Sequence, residues 1–140
     1  MKDILLSIKT EYAQKILSSE KLFEFRGWIW KKDVNYVYIY ASGEIKKIVA
    51  KFKIDKILED TPNNIWSIAK DKAGVSKELY YSYVESYNYN KIFAIKIDNL
   101  KILDRNKYIS LIDLDIKNAP QKFKYLSNSE SNKLERLFNE

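Results

Sequence analysis

Two residue types are missing from this chain altogether, cysteine and histidine. Without cysteine there is no disulfide framework, no thiolate nucleophile and no zinc–thiolate site. Without histidine the commonest general base and the commonest metal ligand are gone. Chemistry must therefore come from Lys, Asp, Glu, Ser, Thr, Tyr or backbone groups. No clustered acidic motif suggests a carboxylate-only metal site, so neither a metal nor another cofactor is expected. Long hydrophobic runs are also lacking. The opening MKDILLSIKT has a short apolar run before polar residues return, too short for the core of a signal peptide, and no stretch approaches a membrane span. The expectation is a cytoplasmic protein that makes no use of a membrane.

What is present suits one compact domain over residues 1–140, with 126–140 a C-terminal helix packed on it. Hydrophobic residues make up 46% of the chain and aromatic ones 14%, enough for a core without covalent staples. The formal net charge of +6 favours an anionic partner, nucleic acid first. Richness in Ile, Asn and Tyr is that of an AT-rich genome, so part of the lysine excess is compositional. An arginine inside a strand is then the more informative residue, and Arg26 is one of only three arginines.

Residues 3–9 read as a strand, and Thr10 caps a short helix with Ala13, Ile16 and Leu17 on one face. Residues 35–42 alternate Val37, Ile39 and Ala41 with Tyr36, Tyr38 and Tyr40, a strand with an aliphatic and an aromatic face. Ser42–Gly43 makes the turn into residues 46–58, where Ile48, Ala50, Phe52 and Ile54 share one face and lysines the other. Thr61 caps a helix with Pro62 at its first position, and Gly74 stops it. Ser76 caps a second helix, with Leu79, Tyr80, Tyr83, Val84 and Tyr87 at helical spacing. Residues 91–103 form a long strand bent near Asn99. SLIDL and APQKFKYL read as closing strands or extended segments, and Ser127 with Glu130 forms a capping box for a terminal helix. Strands and helices do not alternate regularly, which argues against a doubly wound parallel sheet. The expected fold class is α+β: a small, mostly antiparallel β-barrel with helices packed on its outside.

The stretch SEKLFEFRG carries the site argument. With a period of two, Phe23 and Phe25 share the core face, while Glu24 and Arg26 share the other. Lys21 precedes the regular strand. A carboxylate, a planar donor fork and an ammonium within a few residues are the groups that a nucleobase edge and a phosphate require. The plain alternative is a surface ion pair between Glu24 and Arg26, worth about 0–1 kcal/mol.

SEKLFEFR resembles the signature of ASCH domains in the PUA-like superfamily, Gly-x-Lys-x-x-Glu-x-Arg. Lys21, Glu24 and Arg26 match it, and Ser19 replaces the leading glycine of the tight turn. LLSIKTEYAQKIL is similar to the strand and helix before the motif, VYIYASGEIKKIVA to the hairpin after it, and APQKFKYL to the closing segment. The resemblance implies a PUA-like barrel with a cleft lined by Lys21, Glu24 and Arg26, and RNA or nucleotide binding, often in regulation of transcription or translation. Some small relatives hydrolyse an acylated cytidine nucleoside, and a few are ribonucleases. In the hydrolases a Thr nucleophile stands at the position of Glu24, paired with a Lys at the position of Lys21. This chain lacks that Thr, so their mechanism does not carry over.

Further candidates surround this motif. Tyr40, Ser42 and Gly43 end a strand with a hydroxyl and backbone N–H groups that suit a base or phosphate, or make an ordinary hairpin turn. Tyr81 lies off the apolar stripe of its helix, where it stacks on a base or is simply exposed. Trp28 continues the face of Glu24 and Arg26 as a cleft wall, with Trp30 packed on the barrel. Gln121 offers an amide to a base edge or to loop backbone. Lys46, Lys47, Lys51, Lys53 and Lys56 form a basic edge, either a solvated face or a track for phosphates. The leading expectation is a monomeric, non-catalytic module that binds nucleic acid, RNA in preference, or a nucleotide. Lys21 would meet phosphate or a carbonyl, Glu24 an amino edge, and Arg26 a carbonyl or phosphate. The alternatives are a nucleoside- or RNA-processing enzyme using Lys21 as base or Glu24 to activate water, and a protein-interaction regulator with a vestigial cleft.

Overall fold

The computed structural model describes Met1 to Glu140. In chain order the elements are β1 (Lys2–Lys9), α1 (Thr10–Leu17), β2 (Phe23–Arg26), β3 (Val34–Ser42), β4 (Lys47–Asp60), α2 (Pro62–Ala69), α3 (Lys77–Ser86), β5 (Ile92–Ile102), β6 (Phe123–Tyr125) and α4 (Asn128–Phe138). The strands form one mixed sheet in the order β2-β5-β4-β3-β1-β6. β1 and β3 are parallel, while β1–β6, β2–β5 and β3–β4 are antiparallel. This is an α+β fold with a largely antiparallel sheet. No helix is long and apolar enough to cross a membrane.

Helix boundaries follow the local chemistry. The Thr61 hydroxyl accepts from the Asn64 N–H, Ser76 accepts from the Leu79 N–H, and Ser127 and Glu130 cap each other's backbone reciprocally. Asn99 sits within β5 with φ 48°, the left-handed conformation that bends the strand. SLIDL is not a strand: Leu111–Leu114 is a 3₁₀ turn that ends on Asp115 in the left-handed conformation. Its apolar residues do not alternate as a strand requires: Leu114 is buried in the core, Leu111 packs partly against it, and Ile112 is exposed.

The chain forms two compact units. The first comprises Met1–Ala13, Lys32–Lys53 and Asn99–Glu140, the second Gln14–Lys31 and Ile54–Asp98. In the first, Tyr38, Tyr40, Ile48, Leu114, Leu134 and Phe138 belong to one core cluster. A register shift between Ile39 and Tyr40 pairs Ile39 with Ala50 but Tyr40 with Ile48, so Val49 is the extra residue. The shift changes the parity of β4. Ile48 therefore joins the tyrosine face rather than that of Ala50 and Phe52. In the second unit, Phe23, Ile65, Ala69, Tyr80, Val84, Ile92 and Ala94 form the core, with Phe25 edge-on to Tyr80 at 5.1 Å between ring centres. Tyr87 and Leu79 do not join the helical stripe; they are 63% and 46% exposed.

Candidate nucleic-acid interface

The Lys-Glu-Arg motif lies wholly in the second unit. After α1, Ser19 adopts φ 65°, so the turn that a glycine would make is made here by serine. An L-residue pays roughly 1–2 kcal/mol for that conformation. The turn is held by Ser19 N–H to Ile16 O and Lys21 N–H to Lys15 O, each a backbone bond. Lys21 then bridges Ala73, and the Leu22 N–H donates to Lys72 O. The backbone is thus anchored on both sides of the lysine before β2 begins.

Lys21 is only 2% exposed. Its Nζ donates to the Ala73 carbonyl at 2.7 Å, stands 3.8 Å from Glu24 Oε1, and lies 4.7 Å from the centre of the Phe25 ring. Its stem runs across Gly74, which has φ 68°, and a Cβ at Gly74 would fall 2.4 Å from Lys21 Cβ. Only glycine satisfies both the conformation and the space. Burial lowers the Lys21 pKa to about 8; Glu24 opposes the shift, and Arg26 and Lys15 add to it.

Glu24 is also buried, at 6% exposure. Arg26 donates to its Oε2 through Nε at 2.9 Å and through Nη2 at 2.5 Å. The same guanidinium lies 5.3 Å from the centre of the Trp28 ring. The pair is therefore not a solvated surface ion pair. Pairing with β5 sets Glu24 opposite Ile95 and Arg26 opposite Phe93. Trp28 is half-buried and Trp30 buried.

Other sequence candidates are distributed more widely. Tyr81, in the second unit, donates its hydroxyl to Asn63 Oδ1 at 2.7 Å and packs against Tyr80 and Trp66. In the first unit, Tyr40 is 7% exposed and belongs to the core. Ser42 O accepts from the Thr10 hydroxyl, which in turn accepts from the Ile45 N–H, tying the hairpin to the start of α1. Gly43 is exposed with φ 89°, and Gln121 is exposed. Lys46 and Lys47 are exposed and Lys53 is half-buried. Lys51 departs from the basic edge: it is 6% exposed, with Nζ at 4.1 Å from the Tyr36 ring centre, 5.1 Å from Phe138 and 5.7 Å from Tyr38. It faces Tyr38 across the β3–β4 pair, and Phe138 of α4 covers that face.

Two features of the site escaped the sequence reading. Gly74 reads as a helix stop, but its closeness to Lys21 is a tertiary fact without a local signal. Tyr83, Tyr87 and Tyr89 gather beside Gly27, and only their local density hinted at it. No group of three or more Asp or Glu residues is placed to hold a metal ion.

No family model matches the chain. It is 25% identical to the ASCH domain-containing ribonuclease of Zymomonas mobilis subsp. mobilis, over 97% of this chain and 92% of that protein. The crystal structure of ASCH from Zymomonas mobilis superposes with a TM-score of 0.86 at 26% identity, covering 97% of this chain and 95% of that one. A tyrosine-to-phenylalanine variant of the same protein gives a TM-score of 0.87 at 25% identity, covering 98% and 99%. A DUF984 protein from Enterococcus faecalis shares the fold alone, with a TM-score of 0.51 at 12% identity over 74% of this chain and 77% of that one. Likeness that runs the length of both chains, together with Lys21, Glu24 and Arg26 on the turn and strand where the signature lies, makes this chain similar throughout to the ASCH-domain proteins.

Proposed function

We propose that this protein binds RNA, with the Lys21–Glu24–Arg26 cluster as the centre of recognition. The observation that carries the reading is a cluster of three charged groups within six residues, Lys21 and Glu24 buried and Arg26 partly so, held by one another and by the Ala73 carbonyl. Apolar side chains of similar volume would generally serve stability as well or better than a buried ion network. A network retained at that cost is best explained by a ligand. Arg26, fixed at one edge by Glu24 and backed by Trp28, is a preorganised planar donor for a base or phosphate.

The test is equilibrium binding of labelled single-stranded RNA by the wild type and by Arg26→Lys, with thermal melting of both. Wild-type binding should weaken with salt. Arg26→Lys should cost about 1–3 kcal/mol of binding because an ammonium keeps the charge but loses the fork. A wild type that fails to bind RNA even at low salt would refute the reading.

Similarity to a protein named as a ribonuclease supports a second reading, RNA cleavage. With a pKa of about 8, Lys21 carries an appreciable neutral fraction near neutral pH. Neutral Lys21 would take the proton of a 2′-hydroxyl, and the 2′-oxygen would attack the adjacent phosphorus. The P–O5′ bond would break, leaving a 2′,3′-cyclic phosphate, and solvent would return a proton to the 5′-oxygen. Cleavage that rises with pH towards 8 and vanishes in Lys21→Arg would establish this reading. Binding without cleavage would leave the non-catalytic one.

A further inference from the structure

Three tyrosines extend from the motif strand to the surface of the second unit. The Gly27 N–H, directly after Arg26, donates to the Tyr83 hydroxyl at 3.2 Å. The Tyr89 ring lies flat over Gly27, where a Cβ would come within 2.0 Å of it. Tyr83 and Tyr89 are 5.4 Å apart between ring centres, and Tyr83 and Tyr87 5.5 Å. Tyr87 and Tyr89 stack at 5.4 Å with only 15° between their planes. The backbone enforces this arrangement. α3 ends at Ser86 with Tyr87 as its C-cap, Asn88 reverses the chain with φ 54°, and the Tyr89 N–H returns to Val84 O. The rings on either side of that reversal are thereby brought face to face. Burial raises the Tyr83 pKa to about 12, so its hydroxyl stays neutral at physiological pH.

This array is not core. Tyr87 is 63% exposed, among the most exposed large side chains of the protein. A flat ring fixed by its stacked neighbour, with its other face towards water, is a preorganised partner for another flat ring. We infer that Tyr87 and Tyr89 form a stacking platform for unpaired RNA bases, continuing from Arg26 and Trp28 the path of a single strand. The inference rests on the RNA reading above and names its substrate class. Unpaired bases offer free π-faces, whereas in a duplex both faces of each base are covered by neighbours. Such a platform accepts any base, because every base has a π-face. A net charge of +6 and the adjacent Arg26 favour a polyanion over an apolar peptide as its occupant.

The test compares wild type, Tyr87→Ala and Tyr87→Phe for binding to a labelled oligouridine and to an RNA duplex of similar length, with melting curves for each protein. Tyr87 is exposed, so both variants should melt close to wild type. Tyr87→Ala should weaken oligouridine binding about five- to a hundredfold. Tyr87→Phe, which keeps the ring, should bind within about twofold of wild type. Tyr87→Ala that binds oligouridine as tightly as wild type refutes the platform while leaving RNA binding intact. So does a wild type that binds only the duplex, or an equal loss in Tyr87→Phe, which would assign the effect to the hydroxyl. A wild type that binds neither RNA overturns both readings together.

Discussion

Two lysines are buried in this protein, one in each compact unit, and they are accommodated in opposite ways. Lys21, in the second unit, has a carbonyl at 2.7 Å and a carboxylate at 3.8 Å. Lys51, in the first, lies among Tyr36, Tyr38 and Phe138, with the carboxylates of Glu135 and Asp3 acting on it only from beyond ion-pair distance. Desolvation lowers the pKa of both. The cage around Lys51 uses ring quadrupoles, which attract a cation without a fixed direction. It demands little of the geometry, and any flexible apolar chain would fill the same space. The setting of Lys21 is directional and depends on Ala73, Gly74, Glu24 and Arg26 together. The difference separates a lysine that fills a face from a lysine that is positioned.

The strongest test removes the counter-charge. Glu24→Ala would leave Lys21 and Arg26 close together and largely buried with no carboxylate, and should destabilise the protein by about 3–5 kcal/mol. Glu24→Gln, which still accepts from Arg26, should cost clearly less. Urea denaturation measures both. A loss under about 1 kcal/mol for Glu24→Ala would mean the cluster behaves as a surface pair, and the contrast with Lys51 would disappear.

Next in size is the glycine beneath Lys21. Gly74→Ala combines a left-handed backbone with a Cβ 2.4 Å from Lys21 Cβ and should cost about 3 kcal/mol. Gly43, in the first unit, has φ 89° but open space where a Cβ would stand, so Gly43→Ala should cost only about 1 kcal/mol. Similar losses of melting temperature in the two variants would show that packing against Lys21 contributes nothing beyond backbone strain.

A pH series sharpens the comparison further. The folded pKa of Lys21, about 8, lies below its ordinary value of 10.5. Between these values the unfolded chain binds the additional proton, so stability rises with pH there. The contribution is absent below about pH 7 and should reach about 2 kcal/mol by pH 9.5. Lys21→Met lacks it, so wild type should gain stability relative to Lys21→Met across this window. Parallel curves for the two proteins would contradict the buried, charged lysine.

The smallest effect is expected at the other lysine. Lys51→Met exchanges a cation–π contact for an apolar one that adapts well to aromatic neighbours, and should change stability by no more than about 1 kcal/mol in either direction. A loss near that of Glu24→Ala would reveal a directional role for Lys51 and erase the distinction between the two sites.

Local chemistry determined most of the elements. Thr61, Ser76 and the Ser127–Glu130 box mark their helices because the orphan N–H groups of a first turn need an acceptor within a few residues. Alternation placed Phe23 in the core and set Glu24 and Arg26 together, since a strand repeats every two residues. The resemblance of SEKLFEFR to the ASCH signature also singled out Lys21, Glu24 and Arg26. Several matters were left to the tertiary structure. The bulge at Val49 moved Ile48 to the other face, because ladder register is a property of two strands rather than one. Phe138, far away in the chain, turned Lys51 from a solvated lysine into a caged one. Ala73 and Gly74 made the Lys21 setting, and the chain reversal at Asn88 made the tyrosine platform. Periodicity reports only which face of its own element a side chain takes. What covers that face is decided by residues that approach it through space.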